Sequence, residues 1–305
     1  MGNLKGIDVS RYQEIIDWAK VDASGIAFAL IKAGFGNDVS QKDSMFDRNV
    51  QQALAKGLAV GAYWFSYAVS TVDAQREADV FNQILQAYKG KLMFPVAYDF
   101  EYDSAAYFKR IEGRDPTDAE ITAFADTFLT RLKSYGWFVN LYTNCDYIRS
   151  GKFSAALRQK FDVWLADYSG APDYPCYIQQ TGDKGSIPGI SGNVDIDVSF
   201  RDYPTMIRAG GYNGFPKPQG TAVTIDTTMN LIRKAGQTYN VKTVSTLPVT
   251  LTAGTPGVVK VTPFPRSGNV QLFALTATGK PGQAAGIYTT ITGEQPVKRF
   301  VFNIA

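Results

Sequence analysis

Residues 93–102 read MFPVAYDFEY, an apolar strand that ends in two carboxylates, Asp99 and Glu101. Side chains two positions apart share one face of a strand, so these carboxylates are predicted to project side by side. Nearly continuous apolar character is typical of a parallel strand that is buried on both faces. Seven further strand-like segments occur in the first two thirds of the chain, at residues 5–10, 26–33, 58–65, 137–142, 162–166, 174–179 and 193–199.

Helical patterns separate the first six of these segments. They cover residues 11–20, 43–56, 71–88, 116–135 and 146–160. The fourth begins with a capping-box pattern, Thr117 to Glu120, and stops at Gly136. Alternating strands and helices predict a parallel sheet with right-handed crossovers, and eight strands suggest closure into a barrel. The fold class is therefore predicted as α/β, an irregular TIM-like (β/α)5(β)3 barrel, followed by a small mainly-β C-terminal domain.

An open doubly wound sheet is the alternative architecture. That fold requires a phosphate-binding glycine turn after its first strand. Here the turn is DVSRYQ, residues 8–13, and it has no glycine. The barrel is therefore favoured.

A barrel of this kind predicts where the site lies, because catalytic groups occupy the C-terminal ends of the strands. Acidic residues occur there on three separate strands: Asp8 on the first, Asp99 and Glu101 on the fourth, and Asp195 and Asp197 on the eighth. Carboxylates held in one pocket have their pKa values pushed apart, and a protonated acid beside an ionised partner can cleave a glycosidic bond. Two of these acids have a structural alternative. Asp8 could cap the following helix, and for Asp197 we predict a salt-bridge role.

The amino-acid composition excludes several classes of function. The chain has 305 residues, 31 basic and 28 acidic, and a formal charge of +3, which argues against nucleic-acid binding. It has no histidine, which excludes Ser-His-Asp and Cys-His catalysis and removes the commonest zinc ligand. Cys145 and Cys176 form no metal pattern, and we predict two buried free thiols, with a disulfide as the alternative. No cofactor, metal or membrane partner is expected, and the oligomeric state is left open.

Four segments in this order resemble the family 25 glycoside hydrolases, the lysozymes of the N-acetylmuramidase type. They are GIDVS at residues 6–10 followed by Gln13, YDFE at residues 98–101, WLADY at residues 164–168 and GNVD at residues 192–195. The resemblance covers about residues 3–207, and the family's fold is an irregular barrel with five β-α units and three closing strands. Many members carry histidine near the first motif or after strand three, where this chain has none.

The resemblance implies roles for the acidic residues. Glu101 resembles the general acid and Asp99 its partner carboxylate, while Asp8 and Asp195 resemble two further acids of that pocket. It implies cleavage of the β-1,4 bond between N-acetylmuramic acid and N-acetylglucosamine in bacterial peptidoglycan. Five aromatic residues at strand ends are candidates for substrate binding: Tyr63, Tyr67, Tyr142, Trp164 and Tyr168.

Two other functions stay open at this point. One is a non-catalytic barrel that binds peptidoglycan or another sugar, and the other is a chitinase-like glycosidase that uses the same D-x-E. The expected place of action is extracellular, at the cell wall. Residues 1–5 contain no signal-peptide h-region, which agrees with phage-type release or with a removed leader.

The composition changes after Arg208. We predict a catalytic barrel at residues 1–210, a Gly- and Pro-rich linker at 211–220 and a small mainly-β domain at 221–305. Residues 227–234 are predicted to form a short amphipathic helix, and alternating β patterns from residue 241 onward predict a small antiparallel sandwich or barrel. A cell-wall-binding role and a purely structural or oligomerising role are both open for this domain.

Overall fold

Eight strands of the N-terminal part close into a barrel in the order of the sequence. The structure is a computed structural model, and it describes residues 3–216, 223–292 and 294–305. The strands are β1 (Leu4–Val9), β2 (Phe28–Phe35), β3 (Ala59–Phe65), β4 (Val96–Asp99), β5 (Val139–Asn144), β6 (Asp162–Ala166), β7 (Ile178–Gly185) and β8 (Val194–Ser199). Strands β1 to β7 pair in parallel, as predicted.

Strand β8 departs from the predicted parallel arrangement. It runs antiparallel to both of its neighbours, β7 and β1. The reason lies in the connection: only residues 186–193 link β7 to β8, without a helix. Antiparallel strands can be joined by such a short loop, whereas a parallel pair needs a crossover of about a dozen residues or more.

Helices occupy the connections between the first six strands. They are α1 (Trp18–Ala23), α2 (Phe46–Ala55), α3 (Thr71–Leu85), α4 (Tyr102–Glu112), α5 (Asp118–Ser134), α6 (Cys145–Arg149) and α7 (Ala155–Lys160), and α8 (Tyr203–Gly210) follows the barrel. The capping box predicted at Thr117 and Glu120 is present at the start of α5. The single helix predicted at residues 146–160 is two helices, α6 and α7, and α4 was not predicted at all.

The barrel interior is filled by large apolar side chains below the site. Phe28 and Phe94 stack with ring centroids 4.2 Å apart and are fully buried. Gly6 lies beside them, and a Cβ at this position would come within 2.3 Å of the Phe28 ring. Truncating a buried Phe to Ala costs about 3–5 kcal/mol, so this stacked pair makes a firm floor for the barrel mouth.

The C-terminal part is built from eight further strands: β9 (Thr224–Ile225), β10 (Leu231–Arg233), β11 (Thr238–Val244), β12 (Val249–Ala253), β13 (Val259–Pro263), β14 (Val270–Ala277), β15 (Ala284–Ile291) and β16 (Val297–Ile304). They form two four-stranded sheets, ordered β10-β16-β15-β12 and β13-β14-β11-β9. Val241 and Phe273 of one sheet join Ile287 and Phe302 of the other in one buried core. The predicted β sandwich is therefore present.

The helix predicted at residues 227–234 is wrong. Leu231–Arg233 is strand β10, which pairs in parallel with β16. The side chain of Asn230 accepts a hydrogen bond from the Val301 backbone N–H (2.8 Å). Pairing with a sheet edge satisfies the backbone groups of this segment and overrides a short amphipathic pattern.

The chain divides into two compact units, Met1–Pro216 and Lys217–Ala305. The beginning of the predicted linker, residues 211–216, belongs to the first unit. Asn213 is fully buried, donates to the backbone carbonyls of Leu92 and Phe94 (3.0 Å each) and accepts from the Phe138 N–H (2.7 Å). Residues 217–220 lie outside the described residues. Within the described ranges, the helices are too short or too polar to cross a bilayer.

Candidate active site

The barrel mouth brings together the four acidic residues predicted to form the site. Asp8, Asp99, Glu101 and Asp195 line one cavity of about 220 Å³. Asp8 lies near the end of β1, Asp99 ends β4, and Glu101 follows two residues later. These positions are 187 residues apart in sequence at the extremes, so only barrel closure makes them neighbours.

Strand β8 contributes to the mouth from its N-terminal half because it runs antiparallel. Asp195 is directly opposite Asp8 in the β1–β8 register, and Asp197 is opposite Gly6, one step deeper in the barrel. Asp197 is fully buried and accepts a hydrogen bond from the Trp164 indole N–H (2.8 Å). The predicted salt-bridge role of Asp197 is wrong, because its partner in the described residues is this indole and no cation lies within 4 Å.

The alternative role of Asp8 as a helix cap is also excluded. Ser10 caps the short 3-10 turn Arg11–Gln13: its hydroxyl oxygen accepts from the Tyr12 N–H (3.2 Å), and its own N–H donates to the side-chain oxygen of Gln13 (2.9 Å). Asp8 instead accepts a hydrogen bond from the Gln180 amide across the cavity (2.7 Å). Its carboxylate is therefore free of any capping function.

The side chain of Gln180 makes four hydrogen bonds to residues around the cavity, and the sequence analysis did not select it. Its side-chain oxygen accepts from the hydroxyls of Tyr142 (3.0 Å) and Tyr168 (2.9 Å). Its amide nitrogen donates to Asp8 (2.7 Å) and, at 3.4 Å, to Asp195. These four contacts fix which end of the amide faces the acids. The signal was available, since Gln180 shares the inner face of β7 with buried Ile178.

Lys32 is the one cationic side chain among the residues that line this cavity, and sequence reasoning also missed it. Its ammonium lies 4.5 Å from the centre of the Phe65 ring and 5.8 Å from that of Tyr63. Its positive charge lowers the pKa of both Asp99 and Glu101, against larger opposing effects. Alternation along β2 places Lys32 on the same inward face as Leu30, which is the pattern that could have revealed it.

Burial is the main influence on the pKa values of Asp99 and Glu101. It raises the pKa of Asp99 well above the usual range, and the charge of Glu101 raises it further. Burial also raises the pKa of Glu101, while the Tyr142 hydroxyl and Lys32 oppose that rise. Both carboxyls therefore hold protons more tightly than an exposed acid does, and they titrate together.

The acids of β1 and β8 are perturbed in the same direction. Burial, followed by the charges of Asp197 and Asp195, raises the pKa of Asp8 well above its usual range. Burial raises the pKa of Asp195 and brings that of Asp197 to about 8. Asp8, Asp195 and Asp197 therefore keep their protons to higher pH than an exposed carboxyl group does.

The five predicted substrate-binding aromatics fall into different places. Tyr63, Tyr142 and Trp164 line the cavity, but they are buried and packed edge to face, with Trp164 4.6 Å from Tyr142 and 5.8 Å from Tyr63. Tyr67 lines a second, larger cavity, and Tyr168 a third. Tyr168 is 52% exposed and Tyr12, which the sequence analysis did not select, is 74% exposed, so these two rings have faces open to a sugar.

Among the described residues, one group of potential metal ligands is found, and it lies outside this cavity. The side chains of Cys145, Asp167 and Asp173 have donor atoms within 4.8 Å of one another. Both oxygens of Asp167 already accept hydrogen bonds, from the Ser169 hydroxyl and N–H and from the Asp173 N–H. Asp167 therefore organises the loop that carries Tyr168. Cys145 and Cys176 are free and half-buried.

Comparison with known proteins agrees with a carbohydrate-cleaving site in such a barrel. The family profile of the glycosyl hydrolases family 25 matches residues 7–190. Lysozyme M1 of Streptomyces globisporus is 41% identical over 202 residues, 63% of this chain and 66% of that protein. The uncharacterised protein YegX of Escherichia coli K12 is 31% identical over 204 residues, 64% of this chain and 69% of that protein.

Solved structures share the fold. The bacterial lysozyme of Streptomyces coelicolor superposes with a TM-score of 0.55 and 25% identity, covering 66% of this chain and 94% of that one. The autolysin LytC of Streptococcus pneumoniae, solved with a synthetic peptidoglycan ligand, gives a TM-score of 0.56 at 19% identity over 65% of this chain. The matched part is 47% of the LytC chain.

The fold and the carboxylate-lined mouth define a glycoside hydrolase of the lysozyme type. More particularly, the chain belongs to the glycosyl hydrolases family 25, because the family profile spans most of the barrel and a lysozyme is among its relatives.

Proposed function

We propose that this enzyme hydrolyses the β-1,4 bond between N-acetylmuramic acid and N-acetylglucosamine in bacterial peptidoglycan, outside the cell, at the wall. The observation that carries the proposal is the convergence of Asp8, Asp99, Glu101 and Asp195 in one cavity. It is supported by the 41% identity to a lysozyme and by a fold shared with LytC, whose structure contains a synthetic peptidoglycan ligand. The chemistry needs no cofactor or metal, because carboxylates supply both the acid and the charge stabilisation.

Glu101 is proposed as the general acid on grounds of access. It is half-buried and borders both the 220 Å³ cavity and a neighbouring cavity of about 420 Å³ that contains Tyr168. A glycosidic oxygen of a substrate that occupies both cavities can reach the carboxyl group of Glu101. Burial raises the pKa of Glu101, so Glu101 keeps its proton to higher pH than an exposed Glu does, which suits an acid that protonates the leaving oxygen. General acid catalysis contributes about a hundred- to ten-thousand-fold in rate.

Asp99 is proposed as the partner that becomes ionised when substrate binds. It is 5% exposed, and its Oδ1 has no hydrogen-bond partner among the described residues. The N–H of a bound N-acetyl group would supply the missing donor and favour the charged carboxylate. The proton that Asp99 and Glu101 share is then held by Glu101. The oriented N-acetyl oxygen can attack the anomeric carbon, and ionised Asp99 stabilises the positive charge that develops there.

Asp8 and Asp195 are proposed to orient the water or a sugar hydroxyl. Gln180 holds both carboxylates from one side and receives Tyr142 and Tyr168 from the other. A group that must position water needs fixed hydrogen-bond directions, which this amide provides. Tyr63, Tyr67 and Trp164 are the remaining proposed substrate contacts, and Tyr168 is the most exposed of the five predicted aromatic residues.

The finer architecture and the second unit belong to the same proposal. We propose that the barrel has the irregular (β/α)5(β)3 layout, which is supported by helices in the first five connections and none in the last two. We propose that the second unit holds the enzyme on the wall, since a second weak site raises local concentration. Residues 217–305 contain two acidic residues, Asp226 and Glu294, against a larger basic set: Lys217, Arg233, Lys234, Lys242, Lys260, Arg266, Lys280, Lys298 and Arg299.

Clearing of a suspension of purified cell walls tests the proposal. The native chain is expected to lower the turbidity, and Glu101→Gln to lose at least a hundredfold in rate while its melting temperature stays near that of the native chain. Binding of walls without any clearing by the native chain would favour a non-catalytic barrel. Mass spectrometry of the products distinguishes the chitinase-like alternative, because muramidase cleavage leaves N-acetylmuramic acid at the new reducing end.

A further inference from the structure

A second cavity beside the barrel mouth is larger than the catalytic one. It has a volume of about 500 Å³, within the range of small-ligand sites. An aromatic contact connects the two: Phe65 lines the catalytic cavity, and its ring lies 5.1 Å from that of Tyr67, which lines the larger one. The two cavities are therefore adjacent, separated by the Phe65–Tyr67 pair.

Helix α4, which begins directly after Glu101, forms one wall of this cavity. Asp103, Tyr107 and Arg110 all line it, and their spacing of four and seven residues places them on one face of the helix. Asp103 and Arg110 are separated by two helical turns, about 10 Å along the axis. A ligand on this wall therefore meets a negative charge near the catalytic acid and a positive charge farther away.

The charges of Asp103 and Arg110 are available to a ligand. Within the described residues, neither Asp103 nor Arg110 has an oppositely charged group within 4 Å. The Arg110 guanidinium lies over the Tyr107 ring, 4.9 Å from its centre, which holds the cation at the cavity wall. Phe35, Tyr67 and Tyr107 supply the apolar surface between the charges.

The floor of the cavity adds no further charge at neutral pH. Glu77 lines it but is almost fully buried, accepting from the Ser66 hydroxyl (2.5 Å) and the Tyr67 N–H (2.7 Å). Burial raises the pKa of Glu77 to about 8, so it is mostly uncharged at pH 7. The cavity thus offers one anion, one cation and aromatic walls.

We propose that this cavity binds the peptide stem of the same peptidoglycan strand whose sugars occupy the catalytic cavity. The inference rests on the proposed function. The amino terminus of a stem is amide-linked to the sugar, so the ammonium group for Asp103 comes from the side chain of a diamino acid in the stem. The stem also carries a carboxylate for Arg110 and aliphatic side chains for the aromatic walls. A neutral N-acetyl sugar would leave both charges without partners, which disfavours it as the occupant.

The test compares glycan strands that carry their stems with the same strands after an amidase has removed them. The native enzyme is expected to have a lower KM for the strands with stems. Arg110→Gln is expected to raise that KM about tenfold, the loss of one charge-assisted contact, and to reduce the preference over stripped strands. Lys109→Gln is the matched control, because Lys109 lies on the same helix, pairs with exposed Asp115 and does not line the cavity.

A second pair of variants tests the opposite charge: Asp103→Asn should also reduce the preference, and Glu112→Gln, outside the cavity on the same helix, should retain it. An equal effect of Arg110→Gln on both substrates would mean that the cavity binds sugar, and no effect on either would mean that it binds no part of the strand; both overturn the inference. Cleavage of neither substrate by the native enzyme would instead remove the proposed function itself.

Discussion

Asp8 and Asp195 face each other directly across the pairing of β1 with β8, which closes the barrel, and one amide group, that of Gln180, donates to both. Like charges at directly opposite positions of an antiparallel pair are destabilising when both are ionised. Burial and the neighbouring carboxylates accordingly raise the pKa of Asp8 well above its usual range. The closure of the barrel therefore brings together the two carboxyl groups that are proposed to orient the water or a sugar hydroxyl.

Removing the Gln180 amide should uncouple this pair. Gln180→Leu keeps the volume but leaves the buried Asp8 and the Tyr142 hydroxyl without their partner. Each unpaired buried polar group lowers the free energy of unfolding by about 1–3 kcal/mol. Because Asp8 and Asp195 also lose the amide that fixes their orientation, kcat is expected to fall roughly ten- to a hundredfold. The loss should be measured as initial rates on purified glycan strands. Tyr168→Phe removes a single donor to Gln180 and should lose less; an equal loss in both variants would contradict the role of the amide.

Neutralising Lys32 should move the pH dependence of the rate. The positive charge lowers the pKa of Asp99 and Glu101, so Lys32→Met is expected to raise both. Glu101 then keeps its proton to higher pH, and Asp99 also ionises at a higher pH. Both limbs of the profile of kcat/KM against pH should shift to higher pH. Lys5→Met, an exposed residue of β1, is the control and should leave the profile in place; a shift to lower pH in Lys32→Met would be the wrong sign.

Glu77 should make the protein less stable as the pH rises. Burial raises the pKa of Glu77 to about 8, so between its unfolded value near 4.5 and pH 8 only the folded state carries this proton. The free energy of unfolding then falls by about 1.4 kcal/mol per pH unit for that proton. Glu77→Gln, which resembles the protonated form, should show a slope shallower by about that amount in urea unfolding between pH 5 and pH 8.

The contribution of Glu77 to the pH dependence of stability can be separated from that of other acids. Asp197 has a pKa of about 8 as well and contributes its own slope, so Glu77→Gln reduces the dependence without abolishing it. The exposed Glu112→Gln should reproduce the native slope. Identical slopes in the native chain and in Glu77→Gln would show that Glu77 is ionised in the folded protein.

The second unit should bind walls through its positive charge. Lys242, Lys260 and Lys298 are exposed, and within residues 223–292 and 294–305 the basic side chains form no ion pairs. Replacing these three lysines by Gln should lower co-sedimentation of the full chain with purified walls, and so should raising the salt from about 0.1 to 1 M, because screening shortens from about 10 to 3 Å.

The control for this charge effect is available in the first unit. Lys5, Lys56 and Lys89 are also exposed and have no ion pair with any described residue, and their replacement by Gln removes the same net charge. An equal drop in wall binding by the two triple variants would assign the effect to overall charge and not to the second unit. Hydrolysis of short soluble glycans should stay at the native rate in both.

Much of the barrel could be predicted from local patterns. Continuous apolar strands, the capping box at Thr117 and Glu120, and the D-x-E at Asp99 and Glu101 are each properties of a few consecutive residues. The helix α4 escaped prediction because it starts directly after Glu101, with no loop or separate signal between strand and helix. Strand β10 escaped because its structure depends on pairing with β16, about 70 residues away.

The sequence by itself determined which side chains are available and on which face of each strand they lie, because side-chain alternation is a local consequence of backbone geometry. Only the tertiary structure decided that β8 runs antiparallel, so that Asp195 reaches the mouth while Asp197 stays buried behind it. It also decided that Gln180 and Lys32 stand among the acids. Proximity between residues far apart in sequence, and the burial that raises their pKa values, exist only once the barrel has closed.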